Sequence, residues 1–294
     1  MKYERLIQEE LKQSAQLAAE AFYDYEYFSI FISDEKRRKR CLDAMIKCEF
    51  KANWNDPETQ FIVAKENDGI VAVAQLCSPD YKKPSDFDYI RAGWLGVMLK
   101  GGVKEVNAWN EMEKQASAPC HGLVGNIWYL SLLIVAKDRE GKGIGSRFLN
   151  ECIIPRVQDA GGESLSLFTN SELNRKFYEK NGFILFDERR FEYGGKNIGS
   201  WSYAQKLDGD GMIGKTTYIQ IDQEKAKEMV AVNDGHIVVD VRRADEYASG
   251  HIPGAILIPN ESIGTEKPEQ LPDNDQIILI YCRSGNRSKQ AAQK

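Results

Sequence analysis

The chain is poor in the residues that bind metals and cross-link secreted folds. Its 294 residues include six cysteines and three histidines. Cys41, Cys48, Cys77, Cys120, Cys152 and Cys282 are scattered without a Cys-x-x-Cys pair. His121, His236 and His251 show no ligand spacing, so no metal is expected. Free thiols point to a reducing, cytoplasmic setting. No apolar run approaches the ~18 residues of a membrane span, and MKYERLIQEE lacks the apolar centre of a signal peptide. A mean hydropathy of −0.48 agrees. The net charge of −5 argues against a nucleic-acid footprint. Neither a membrane nor a nucleic acid is expected as partner.

What is present is a strand, a glycine loop and a helix in that order. Leu132-Leu133-Ile134-Val135 ends an apolar strand, Arg139 to Ser146 reads REGKGIGS, and a helix is predicted from Arg147 to Val157. Side-chain-free residues let backbone N–H groups approach an anion, and the helix start adds about half a positive charge. Together they form a phosphate cradle. A dinucleotide fold would place Gly-x-Gly-x-x-Gly early in the chain. Here the glycines alternate, and they follow several strands.

The stretch YLSLLIVAKDREGKGIGSRFL resembles the acetyl-CoA motif of the GNAT superfamily of N-acetyltransferases, although Glu140 stands where that family usually has Gln or Arg. The resemblance implies acetyl-CoA as cosubstrate. It implies strand contacts from Leu133 and Val135, and a cradle of Gly141, Lys142, Gly143, Ile144, Gly145 and Ser146. A second segment, SLSLFTNSELNRKFYEKNGFILF, reads as strand Ser164–Thr169, helix Glu172–Lys180, and a stop at Asn181-Gly182. Asn174, Phe177-Tyr178 and Gly182-Phe183 are similar to the family's second signature. By that similarity Asn174 belongs to the cofactor site and Tyr178 is the general acid that protonates the CoA sulfur. Family members often use a strand glutamate as base, but Trp128–Val135 has no carboxylate; Glu192 is the nearest candidate and reads more readily as a solvated charge.

Elsewhere, helical spacing runs through Ile7–Tyr25 and Asp34–Phe50, and around Val103–Ser117 within the long stretch Ser78–Gly122. Phe61–Ala64 and Ile70–Leu76 flank Glu66-Asn67-Asp68-Gly69, a hairpin signal. Ser200–Leu207 is expected to close the first domain as an edge strand. Phe22, Tyr23, Tyr25, Tyr27, Phe28 and Phe31 crowd one helix–helix turn; they read as core, with one or two able to line an amine pocket between the first helices and the last strand pair. The run WYLSLLIV after a long insertion is similar to the puromycin N-acetyltransferase branch, which implies a small, partly apolar amine as acceptor.

Gly209 to Thr216 matches Gly-x4-Gly-Lys-Thr, yet Thr217 to Ile221 alternates like a strand, where a nucleotide loop must open a helix. Residues 208–215 therefore read as a linker between domains 1–207 and 216–294. In the second domain the apolar run Ile277–Tyr281 leads into Cys282-Arg283-Ser284-Gly285-Asn286-Arg287 and a helix. A cysteine between a strand and a helix start faces converging N–H groups, which can pull its pKa from about 8.5 into the range of roughly 3.5–7.5. The amides form an anion nest, and Arg283 and Arg287 add charge. With Asp240, Arg242, Glu246, His251 and Pro253 upstream, the arrangement resembles the rhodanese domains, in which the loop cysteine carries a persulfide. That implies Cys282 as the sulfur carrier and a donor such as thiosulfate.

The expected fold is α/β: an α+β GNAT domain with a mixed, mostly antiparallel sheet and flanking helices, followed by a smaller rhodanese-like α/β domain with a parallel sheet. The chain stops soon after the cysteine loop, where rhodanese domains continue, so the second domain is expected to be incomplete, weak in sulfur transfer and prone to homodimerise through its uncovered sheet. Three functions are compatible with these residues: small-amine N-acetylation with an appended sulfurtransferase-like module, sulfur transfer as the main activity of the intact polypeptide, and non-catalytic sensing of acyl-CoA.

Overall fold

The computed structural model describes residues 1–67, 69–207, 218–219, 221–232, 235–264, 268–271 and 276–293. The predicted linker and the nucleotide-loop match at Gly209–Thr216 lie outside the described residues. The chain divides into two compact units, Met1–His121 with Gly125–Lys215, and Gly122–Val124 with Thr216–Lys294.

The first unit is built on seven strands: β1 (Lys2–Arg5), β2 (Thr59–Glu66), β3 (Gly69–Cys77), β4 (Ile127–Val135), β5 (Ser164–Thr169), β6 (Ile184–Tyr193) and β7 (Lys196–Lys206). They lie in the order β1-β2-β3-β4-β5-β7-β6, and only β4 and β5 run parallel. The helices are α1 (Leu11–Phe22), α2 (Glu26–Phe31), α3 (Glu35–Asn53), α4 (Asp86–Ala92), α5 (Trp94–Gly101), α6 (Val103–His121), α7 (Ile144–Phe148), α8 (Ile154–Asp159) and α9 (Glu172–Lys180). A single π turn, Leu149–Ile153, joins α7 to α8.

Period-2 alternation along the strands gives the sheet two apolar faces. One carries Trp128, Leu130, Leu165, Leu167 and Tyr203 against Ile144, Phe148, Ile153 and Val157 of the helical run after β4. The other carries Val63, Val73 and Ile134 against Ala15, Ala18 and Ala19 of α1 and Phe50 of α3. A third cluster fills the space among α2, α3, α5 and α6. Tyr27, Phe28 and Phe31 are buried in it, and Phe22, Tyr23 and Tyr25 pack on it, so the aromatic turn is core.

Caps fix the helix starts: Asp34 accepts the Arg37 amide of α3 at 2.7 Å, and Ser171 accepts the Asn174 amide of α9 at 3.4 Å. The helix expected around Val103–Ser117 is present as α6, and one expectation, an edge strand at Ser200–Leu207, is corrected. The segment between β3 and β4 holds three helices, because a Ser85–Asp88 capping box starts α4 and Gly93, at φ +118°, ends it before α5. The strand ending at Lys206 is internal to the sheet. The turn at Gly194-Gly195 folds β6 against its outer side, and β6, reading Asp-Glu-Arg-Arg, has the charge that guards an edge.

The second unit has a parallel sheet of β8 (Ile237–Asp240), β9 (Ile256–Leu257) and β10 (Ile278–Tyr281), in the order β10-β8-β9. Its helices are α10 (Gln223–Ala231), α11 (Ala244–Ala248) and α12 (Asn286–Gln293). Val239, Val241, Ile258 and Ala291 form its core.

Gly182 ends α9 at φ +86°, and a Cβ there would sit 3.2 Å from Gln205. Gly182→Ala is expected to lower stability in urea unfolding by roughly 1–2 kcal/mol, the cost of an L residue in left-handed backbone. Gly96→Ala, in α5 with open space around it, is expected to stabilise by up to about 1 kcal/mol.

Candidate functional site

The first site begins with one extra residue. Leu76 of β3 faces Leu130 of β4 and Gln75 faces Leu132, so Ser131 is a bulge. Pairing of β4 with β5 ends at Tyr129↔Ser166, while pairing with β3 continues to Val135↔Ala72. From Leu130 to Val135, β4 has a partner strand on one side only. The bulge also resets the alternation, so that Leu133 and Val135 join Trp128 and Leu130 on one face.

The open seam runs into the glycine loop. Gly141 and Gly143 both have φ +73°, and a Cβ on either would meet nothing within 4 Å. The loop is therefore shaped for glycine while the space above it is free, which suits a phosphate group held by backbone. Gly143 caps α7, and the first helical bond runs from the Arg147 amide to the Gly143 carbonyl at 3.0 Å. The amides of Ile144, Gly145 and Ser146 fall in the first turn, where no intrahelical acceptor exists. Gly145 allows close packing instead, since a Cβ there would lie 3.3 Å from the Phe177 ring and 3.5 Å from Val135. Lys142 reaches back to the Asp138 carbonyl at 3.0 Å, so its backbone faces the cradle while its side chain braces the loop. Glu140 is exposed.

An asparagine network fixes α9 beside this loop. Asn181 donates to the Ser146 hydroxyl at 3.1 Å and to the Phe177 carbonyl at 2.7 Å, and accepts from Asn150 at 2.8 Å. Tyr178 is thereby positioned, its ring packed on Phe177, Phe183 and Tyr203 with centroids 5.1, 5.5 and 6.2 Å away. Burial pushes its phenol well above the usual tyrosine range, and the neighbouring Tyr25 adds to the effect. Asn174 donates to the Thr169 hydroxyl at 3.3 Å, which also meets the Tyr25 hydroxyl at 3.3 Å. Sequence spacing gives no sign of this Tyr25–Thr169 contact, because the two residues are 144 positions apart. Glu192 is exposed on β6 opposite Asn197, four residues along β7 from Trp201, the last partner of β5.

The second site is the loop after β10. The Gly285 amide donates to the Cys282 sulfur at 3.1 Å, and the Ser288 hydroxyl lies 3.6 Å away. Burial works against a thiolate here, but the Ser288 amide and hydroxyl and the Ser284 and Gly285 amides outweigh it and hold the thiol below its ordinary pKa. Burial has the opposite outcome at Cys41 and Cys48, pushed up to about 11, and at Cys77, pushed up to about 12. Asn286 opens α12 and Arg283 is exposed. Arg287 is committed elsewhere: it grips Glu246 bidentately at 2.6 and 2.8 Å and holds that carboxyl down to about 2. The loop's anion preference therefore rests on amides more than on this guanidinium. Asp240 binds Arg242 at 2.6 Å and accepts from Tyr281 at 2.6 Å, while His251 stacks on Tyr247 at 3.7 Å. Among the described residues no cluster could hold a metal.

An amide cradle at a splayed, mixed sheet and a thiol in an amide loop define two transferase-type sites. Family models match both: the acetyltransferase (GNAT) domain over residues 104–185 and the rhodanese-like domain over residues 222–294. The chain thus joins a GNAT acetyltransferase domain to a rhodanese-like domain. YrkF of Bacillus subtilis, described as a putative sulfur carrier protein, is 37% identical over 73 residues, which are 25% of this chain and 38% of that protein. A sulfurtransferase of Allochromatium vinosum is 39% identical over 72 residues, 24% of this chain and 65% of that protein. The chain spans less than two thirds of either. Among solved structures, a histone acetyltransferase HPA2-related protein of Corynebacterium glutamicum is 17% identical with a TM-score of 0.44, over 68% of this chain and 94% of that one. The PaiA N-acetyltransferase of Thermoplasma acidophilum, solved with coenzyme A, is 14% identical with a TM-score of 0.40, over 68% and 96%.

Alkylation by iodoacetamide is expected to strike Cys282 first in the folded protein, with a pH midpoint below the value of about 8.5 for a free thiol. Ser288→Ala should raise that midpoint. A midpoint at or above the free-thiol value would exclude thiolate stabilisation by the loop.

Proposed function

We propose that the chain is an acetyl-CoA-dependent N-acetyltransferase for a small amine, acting through residues 1–207, and that residues 216–294 carry sulfur on Cys282. The observation behind the first part is the one-sided seam of β4 leading into a loop of positive-φ glycines at a helix start. Acetyl-CoA supplies an activated acetyl thioester. The amides from Gly141 to Ser146 hold its pyrophosphate, and the free edge beside Leu133 and Val135 pairs with the pantetheine arm. N–H groups at the inner end of the seam stabilise the oxyanion that forms when a neutral amine attacks, a contribution of about 3–4 kcal/mol for a well-placed donor. Tyr178 keeps its phenolic proton in the resting site and gives it to the departing thiolate as the C–S bond breaks, and the newly bonded nitrogen loses its extra proton to water, while Asn174 steadies the start of α9 against Thr169.

Acetyl-CoA at about 100 times its dissociation constant is expected to stabilise the protein by about 2.7 kcal/mol in thermal unfolding, an increment that Gly143→Trp should abolish. Tyr178→Phe should keep the increment and lower kcat on an accepted amine by roughly 100-fold or more, the scale of lost acid catalysis. Stabilisation without product across an amine panel would leave an acyl-CoA sensor in place of an enzyme.

The second part rests on the Gly285 amide, 3.1 Å from the Cys282 sulfur. A thiolate held there can attack the outer sulfur of thiosulfate, releasing sulfite and leaving a persulfide whose charge the same amides accept. A mass gain of one sulfur atom on Cys282 after thiosulfate treatment, absent in Cys282→Ser, is the expected result; an unmodified Cys282 would count against it. A reducing cytoplasm fits this thiol chemistry.

A further inference from the structure

The helices inserted between β3 and β4 enclose a second polar site that the acyl-donor reading does not use. Tyr129 faces Cys77 across the β3–β4 ladder, and Gln75, two residues from Cys77, shares their face of the sheet. Opposite this face stand Glu49 of α3, Tyr89 of α4, Glu113 and His121 of α6, and Tyr81 from the preceding loop. Tyr89 donates to Glu49 at 2.9 Å, Asn53 donates to Glu49 at 2.8 Å, and Tyr81 donates to Asn53 at 2.8 Å. The His121 and Tyr129 rings are 4.9 Å apart. Glu49 and Tyr129 are half-buried, so that each keeps part of its surface open to solvent. Residues of that kind line a recess.

Three features show what the recess lacks. Gln75 is 1% exposed, and its side-chain amide faces Glu49 as a further neutral donor. Glu49 accepts from a phenol and an amide, both neutral donors, while burial and the nearby Glu113 charge push its carboxyl upward. Lys83, the cation whose field reaches Glu49 and His121, is half exposed and already paired with Glu113 at 3.2 Å. Burial keeps His121 below its ordinary pKa, so it adds little positive charge near neutrality. Two carboxylates, one spent lysine and several aromatic rings make a recess that attracts a cation with an apolar body.

Its position ties it to acyl transfer. Tyr129 is the last residue of β4 to pair with β5, so the recess adjoins the inner end of the open seam. We propose that this recess is the acceptor site and that it selects a small cationic amine, with Glu49 holding the ammonium group and taking one proton from it before the neutral amine attacks, and with Tyr81 and Tyr129 flanking its apolar part. This rests on acetyl-CoA being the acyl donor, and the two can fail separately.

Calorimetric titration of the coenzyme A-saturated protein, which has no acetyl group to transfer, with tyramine, phenethylamine and 1,4-diaminobutane, each beside the neutral alcohol in which every ammonium group is replaced by hydroxyl, tests the assignment. At least one amine is expected to bind 10-fold or more tightly than its alcohol. Glu49→Gln should weaken that amine at least 10-fold while leaving the acetyl-CoA thermal increment unchanged, and Glu113→Gln, at a more exposed position, should weaken it several-fold. Lys83→Ala, which frees Glu113, should tighten it. Equal binding of amine and alcohol, an unaltered amine affinity in both glutamate variants, or no binding by any of the three amines would overturn the assignment even if acetyl-CoA still stabilised the protein. Loss of the acetyl-CoA increment in the wild type would instead strike the donor reading.

Discussion

The first unit depends on a pairing that stops. Ser131 adds one residue to β4 without a partner on β3, and beyond Tyr129 the strand has no neighbour on the β5 side. Elsewhere in the unit a strand left half-paired would invite a wrong partner. Here the free edge lies inside the sheet, with β3 on one flank and β5 pairing only as far as Tyr129 on the other. The glycine loop follows from the same geometry. The connection from the open strand to α7 passes twice through left-handed backbone, at Gly141 and Gly143. The π turn at Leu149–Ile153 and the Asn150–Asn181–Ser146 network then hold that helix against α9. Seam, loop and Tyr178 are consequences of one bulge and one network.

The second unit solves a different problem, the stabilisation of a single anionic sulfur. Arginine is the obvious source of charge, but Arg287 spends both ends of its fork on Glu246. A bidentate pair of this sort is rigid and orients the start of α12 more than it offers a free cation. The amides of Ser284, Gly285 and Ser288 supply the electrostatic stabilisation, since they point inward whatever the side chains are.

Sequence alone exposed the parts whose residues are neighbours in the chain. Strand, glycine loop and helix around Val135–Phe148, the stop at Gly182 and the cysteine loop all follow from local chemistry, and the mixed sheet with its smaller parallel companion followed from the family resemblance. What stayed hidden depends on pairing between distant segments. Ser131 in YLSLLIV looks like an ordinary polar residue until β3 is laid beside it. Arg287 reads as an anion receptor until Glu246, 41 residues earlier, is seen to occupy it. Helices α4 and α5 were too short for periodicity, and only the Ser85-x-x-Asp88 cap and Gly93 mark them. The Glu49–Gln75 recess has no sequence signature, because it joins a helix and a strand whose facing residues follow no common spacing.

Burial acts on Tyr178, Glu49 and Cys282 with the same sign, since removing water disfavours every anion. Their different states come from what else surrounds them. Cys282 has converging amides and a hydroxyl, so it ends below its ordinary pKa. Tyr178 has aromatic rings and a second phenol nearby, and it holds its proton firmly. A phenol in that state is a poor acid toward water but not toward a thiolate released into the same apolar surroundings, because the thiolate is desolvated too and its own proton affinity rises. Glu49 stands between these cases: its neutral donors are insufficient to offset its burial, and an ammonium ion beside it would complete the set. The balance of burial against local donors thus separates a thiol held below its ordinary pKa from a phenol and a carboxyl held above theirs.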